Sequence, residues 1–178
     1  MNIKKILGVG ILATSLIFTG CLDEDVSSSP VEQTVTGQFP QFATSNLNGE
    51  SVANNLFAQK KITVVNIWGT FCGPCIGEMP ELGEWARNMP EGAQLIGIVC
   101  DVRGNNDSQT IAEANNILSQ ANANFVNLIP DKSLSKYLET VEAVPTTLFV
   151  DSQGNIIGDP VVGADVDSYK ERVEQYLR

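Results

Sequence analysis

Two cysteines two residues apart, in Trp68-Gly69-Thr70-Phe71-Cys72-Gly73-Pro74-Cys75, are the part of this chain best suited to chemistry. The apolar, β-branched run before them (Ile62, Val64, Val65, Ile67) predicts a buried strand. Apolar positions three or four residues apart after them (Ile76, Met79, Leu82, Trp85, Met89) predict a helix over about 73–89, with Pro80 kinking it. Cys72 then lies at a helix N-terminus, where unpaired backbone N–H groups and the macrodipole favour an anion. A thiol in such a motif ionises at roughly pH 3.5–7, against about 8.5 for a free cysteine. Pro74 pre-sets φ at the helix start and has no N–H to leave unpaired. Gly73 leaves the thiol unobstructed.

Composition removes several other chemistries. The 178 residues suffice for one domain with a real core. There is no histidine, which excludes His-based acid–base catalysis, Ser-His triads and most zinc sites. A formal charge of −10 makes nucleic acid a poor partner. The four cysteines (Cys21, Cys72, Cys75, Cys100) stand in different contexts and do not form a disulfide framework. Only Cys72 and Cys75 are close enough in sequence to predict a bridge without a fold. A purely structural bridge over a two-residue gap would close too little chain to stabilise much. Cys100 ends a predicted strand over Leu95–Val99 and is expected to be a buried, apolar free thiol.

The elements that must position the pair divide the chain into three parts. Residues 1–20 read as an export signal: Lys4 and Lys5 precede an apolar run, Ile6–Phe18, that is short for a membrane span. It ends in Phe18-Thr19-Gly20-Cys21, which resembles a bacterial lipobox, so that Cys21 would be acylated after cleavage. Cleavage would remove two lysines and no acid, leaving the mature chain more acidic still. Residues 21–37 read as the lipidated cysteine and a flexible tether. Residues 38–178 read as the folded domain. In it, Asn48-Gly49 marks an N-terminal hairpin, Asn54–Gln59 a helical turn and Asp107 or Ser108 a helix cap. A short strand is expected over Phe125–Ile129, a short helix through Leu134–Val141, strands over Thr146–Val150 and Asn155–Val162, and a closing helix carrying Val166, Tyr169, Val173 and Leu177. Strands alternating with helices, then a hairpin and a helix, argue an α/β fold with a central mixed sheet.

With Glu78-Met79-Pro80 after the cysteines and Val144-Pro145-Thr146-Thr147 about 70 residues later, residues 39–177 resemble the thioredoxin superfamily, and within it the membrane-anchored TlpA/ResA-like thiol–disulfide oxidoreductases. The resemblance implies a thioredoxin-like fold, a mixed sheet flanked by helices, with the helix and strand at 108–129 as a TlpA-type insertion. It implies that Cys72 attacks a substrate disulfide and that Cys75, deeper by a helical turn, resolves the mixed disulfide. It makes Pro145 a cis-proline facing the cysteines, with Val144 lining the site. Glu78, three residues after Cys75 on the same helix face, is the matching proton-transfer carboxylate; the alternative is an exposed acid complementing the helix dipole. Asn66 departs from the buried Asp that many thioredoxins carry. Gly73, Pro74, Phe71, Val144 and Trp68 form the expected substrate-contact set, although core and rim packing also accounts for Trp68 and Phe71.

The resemblance further implies a monomer that needs no cofactor beyond the Cys72–Cys75 pair and no metal. It would be held at the membrane by its lipid anchor outside the cytoplasm. Its partners would be exported protein disulfides, apocytochrome c among them, and a membrane electron donor of the CcdA type. The Cys-Gly-Pro-Cys sequence resembles that of reducing thioredoxins. Two alternatives keep the fold. A peroxiredoxin-like thiol peroxidase needs a cysteine in a Thr/Pro-rich turn, usually with Arg nearby. A Cu(I) delivery module would use the two thiolates, and such relatives usually add a distant His.

Overall fold

A computed structural model describes residues 34–178 of the chain; the predicted export signal and Cys21 lie outside the described residues. The centre of the sheet is β4 (Ile62–Trp68), every residue of which is buried. It runs parallel to β5 (Ala93–Val99) and antiparallel to β7 (Thr146–Asp151). A strand covered on both faces reads as a continuous apolar run, which is why β4 and β5 stood out. Outward from β5 lies β6 (Val126–Leu128), parallel to it; outward from β7 lie β8 (Asn155–Ile157) and β1 (Val35–Gln38). The strand β9 (Val161–Val162) pairs with the start of β7. The hairpin of β2 (Ala43–Ser45) and β3 (Ser51–Ala53) forms a separate two-stranded sheet. This is a thioredoxin-like α/β fold.

Helix α1 (Gly73–Arg87) joins β4 to β5, and α2 (Ser108–Gln120) joins β5 to β6. The short α3 (Lys132–Leu138) precedes β7, and α4 (Val166–Leu177) closes the chain. Asp107, Asp131 and Asp165 cap the last three through side-chain oxygens, each accepting a backbone N–H of the first turn. Helix α1 continues through Pro80, which has no N–H to give to the turn before it.

Two boundaries differ from the sequence reading. The ordered sheet starts at Val35, inside the stretch read as tether, because Val35–Gln38 pairs with β8. The strand expected over Asn155–Val162 is two strands. Gly158, at φ +64°, turns the chain and the following Asp159-Pro160 breaks the ladder.

Candidate active site

Cys72 is the N-cap of α1, and it is bonded to Cys75 within the first turn. The backbone N–H of Cys75 points at the Cys72 sulfur, 3.2 Å away. That donor is one of the orphan N–H groups of a helix start, and it would stabilise a thiolate on Cys72 once the bond opens. Cys75 is fully buried, whereas Cys72 keeps a small exposed surface beside the exposed Gly73, Pro74 and Phe71. Cys72 is thus the more accessible of the pair, at 6% exposed against 0% for Cys75.

The loop that faces Cys72 comes from the start of β7. Its Val144–Pro145 bond is cis, and the Val144 carbonyl oxygen lies 3.5 Å from the Cys72 sulfur. The Pro145 carbonyl accepts the Gly163 N–H at 2.8 Å, tying this loop to the residue after β9. On the other side, Asp101 accepts both the N–H and the hydroxyl of Thr70, the latter at 2.6 Å, and so holds the approach to Cys72.

Beneath the disulfide is a buried polar cluster. Glu78 lies one turn beyond Cys75 and is 6% exposed, so the solvent-facing alternative for it is excluded. Asn66 Nδ2, from the middle of β4, donates to Glu78 Oε1 at 2.9 Å and to the Thr147 hydroxyl at 3.0 Å. Glu78 Oε2 lies 3.1 Å from the Tyr169 hydroxyl of α4. Burial pushes the Glu78 carboxyl above its ordinary 4.5, against the opposing pull of the Asn66 and Tyr169 hydrogen bonds; Glu81 adds to the rise. Asn66 Oδ1 is buried without a hydrogen-bond partner.

Of the residues expected to contact substrate, Trp68 does not. It is fully buried, and its indole N–H donates to Asn127 Oδ1 at 2.8 Å. That contact needs Gly97 on β5, where a Cβ would fall 1.9 Å from Asn127 Oδ1. Cys100 is half-buried just past β5 and unbridged, and burial followed by the neighbouring Asp101 pushes its thiol up to about 11. Such a thiol is a poor nucleophile at neutral pH. The sequence marks Tyr169 as part of an apolar helix stripe and Thr147 as part of a strand and of the Val144–Thr147 motif, neither as a partner of Glu78. The one available signal was a phenol within an apolar stripe, since a buried Tyr hydroxyl must find a partner. Among the described residues no group of three or more His, Cys, Asp or Glu is placed to hold a metal ion.

A dithiol at a strand–helix junction of this sheet defines a thiol–disulfide oxidoreductase of the thioredoxin class. The chain belongs to the AhpC/TSA family, whose model matches residues 35–158. A thiol-disulfide oxidoreductase ResA from Bacillus thuringiensis is 28% identical over 142 residues, covering 78% of this chain and 74% of that protein. A solved thiol:disulfide interchange protein of the thioredoxin family from Chlorobium tepidum superposes with a TM-score of 0.65 at 17% identity, over 80% of this chain and 97% of its own. The exposed lipoprotein thioredoxin of Streptococcus pneumoniae does so with a TM-score of 0.60 at 19% identity, over 76% and 98%. The two solved structures speak for the fold.

Proposed function

We propose that this protein reduces disulfide bonds of exported proteins from an extracytoplasmic position, anchored by lipid on Cys21. The observation that carries the reading is the pairing of Cys72 at the cap of α1 with Cys75 buried beneath it. In the reduced form, the Cys72 thiolate attacks a substrate disulfide and forms a mixed disulfide, expelling one substrate thiolate. The Cys75 thiol, deprotonated as it attacks, displaces the second substrate sulfur and closes the Cys72–Cys75 bond. Two electrons and two protons pass to the substrate, which leaves as a dithiol. Glu78 is the nearby group suited to take the Cys75 proton and pass it on. Phe71, Gly73, Pro74, Val144 and Pro145 form the surface on which an extended substrate segment would lie.

A membrane donor of the CcdA type would return the electrons, and apocytochrome c is one substrate of suitable chemistry. A lipid anchor fits the export signal and the exposed lipoprotein among the structural relatives. Direction follows from potential: a value near about −270 mV or below supports reduction, whereas one near about −120 mV marks an oxidant.

The test is trapping. With Cys75→Ala, the mixed disulfide on Cys72 should persist and retain the natural substrate for identification. A Cys72→Ser variant that opens a model disulfide as fast as the parent would refute the reading, and so would consumption of peroxide in preference to protein disulfides.

A further inference from the structure

Dithiol exchange does not by itself call for Tyr169. Its phenol carries one proton, and burial pushes its pKa up to about 12, so the proton stays through the neutral range. Two acceptors compete for it, Glu78 Oε2 at 3.1 Å and the Gly163 carbonyl oxygen at 2.8 Å, and the Thr147 hydroxyl also hydrogen-bonds the phenol. One hydroxyl hydrogen satisfies one of them well. The Asp165 N–H, 3.2 Å from the phenol oxygen, can only donate to it, and the Gly163 carbonyl can only accept.

These geometries admit two proton arrangements. When Glu78 is neutral, its Oε2–H donates a hydrogen bond to the phenol oxygen, and the phenol donates to the Gly163 carbonyl. When Glu78 is ionised, the carboxylate competes for the phenol proton, because a charge-assisted hydrogen bond is roughly twice as strong as a neutral one. The Gly163 carbonyl then loses its donor. Gly163 is also the residue whose N–H holds the Pro145 carbonyl. Its φ of +97° allows it to serve both partners from one bend.

We propose that Tyr169 is a positioning residue, a single-proton switch that links the charge on Glu78 to the Gly163–Pro145 contact. Gly163, which holds the loop facing Cys72, is fixed at both its N–H and its carbonyl when Glu78 is neutral and at its N–H alone when Glu78 ionises. The other charged and polar groups around the switch lie on β4, β7, α1 and α4; on α1, Glu81 adds its charge to the rise at Glu78. On β4 and β7 the switch meets Asn66 and Thr147, which do not titrate. On α4, Asp165 is kept below the usual carboxylate range by hydrogen bonds from Ser168, and Lys170 lies 2.6 Å from Glu81 and 3.5 Å from Asp167 at the surface. On α1, Cys75 titrates only once the disulfide is open. The role of the switch in a catalytic cycle rests on the function proposed above; the hydrogen-bond competition does not.

The experiment is an NMR pH titration of the full-length oxidised protein, following the Glu78 carboxyl carbon and the amides of Gly163 and Ala164. The Ala164 N–H shares a peptide bond with the Gly163 carbonyl and so reports on that carbonyl's donor. In the parent, the Ala164 shift should move with the Glu78 midpoint. In Tyr169→Phe that movement should be lost while Glu78 still titrates, its midpoint shifted upward because the carboxylate has lost a donor. In Glu78→Gln both titrations should be absent. An Ala164 amide that stays fixed in the parent while Glu78 titrates overturns the proposal, and this measurement needs no variant to fold. Ala164 movement retained in Tyr169→Phe at the Glu78 midpoint overturns it as well. A Cys72→Ser variant that keeps full reductase activity would refute the proposed function and leave this titration to stand or fall alone.

Discussion

The two faces of the sheet are built from the same strands and do different things. On one face, Phe39, Phe42 and Phe57 pack edge to face with ring centroids 5.3–6.1 Å apart, joined by Leu134 and Leu148. On the other, under α1 and α4, an apolar cluster of similar residues surrounds the disulfide. Into this second face the chain inserts Asn66, Glu78, Thr147 and the Tyr169 hydroxyl, all buried. Alternation along β4 explains the asymmetry: Val65 and Ile67 face the aromatic side, while Val64, Trp68 and, by the same period, Asn66 face the helices. The aromatic face supplies burial, roughly 1.5–3 kcal/mol for each large side chain; its buried Thr63, in the same period as Val65 and Ile67, accepts from Gln94 Nε2 at 2.9 Å and does not titrate. The helix face gives up some of that burial for hydrogen-bonded polar groups around a buried carboxyl, and one of its atoms, Asn66 Oδ1, goes unpaired.

The comparison can be broken at several points. Cys72→Ser should have the largest effect, lowering disulfide reduction by at least about 10³-fold with little change in stability; an insulin-reduction assay and a urea melt read the two. Phe57→Ala, on the opposite face, should reverse that pattern. Loss of a buried ring costs about 3–5 kcal/mol, while the pH profile of the surviving folded enzyme should keep its shape. Asn66→Ala should fall between, costing about 1–3 kcal/mol for an acceptor left without its donor, and it should raise the Glu78 midpoint in the same carboxyl titration.

Glu78→Gln sharpens the contrast through pH. The folded pKa of Glu78 is raised, so the fold prefers the neutral acid. That preference is fully expressed below about 4.5 and is lost as pH rises through the raised folded value. Urea midpoints of the parent should therefore decline across that window more than those of Glu78→Gln, which cannot ionise. The smallest effect belongs to Lys170→Ala. Its pair with Glu81 is solvent-screened, and stability should change by less than about 0.5 kcal/mol.

Much of this was legible from local pattern. The strand over Ile62–Trp68, the helix start at Gly73 and the cap at Asp107 follow from periodicity and cap chemistry within a few residues of each other. Where the reading failed, competition with distant partners decided. Val35–Gly37 is polar enough to pass for a tether and joins the strand Val35–Gln38 because β8 offers it a free edge. Trp68 sits four residues before a reactive cysteine, yet its indole turns into the core toward Asn127, 59 residues away.

The same division holds for the site. The sequence alone determined a pair of sulfurs at a strand–helix junction, because spacing, proline and helix polarity act over one turn of chain. Tertiary structure decided what the carboxylate beside them would be. Glu78 meets a phenol 91 residues away and an amide on the central strand, and burial among them holds its acid proton on to higher pH. Proton affinity depends on desolvation and on donors brought together by folding, and no local pattern of residues encodes those.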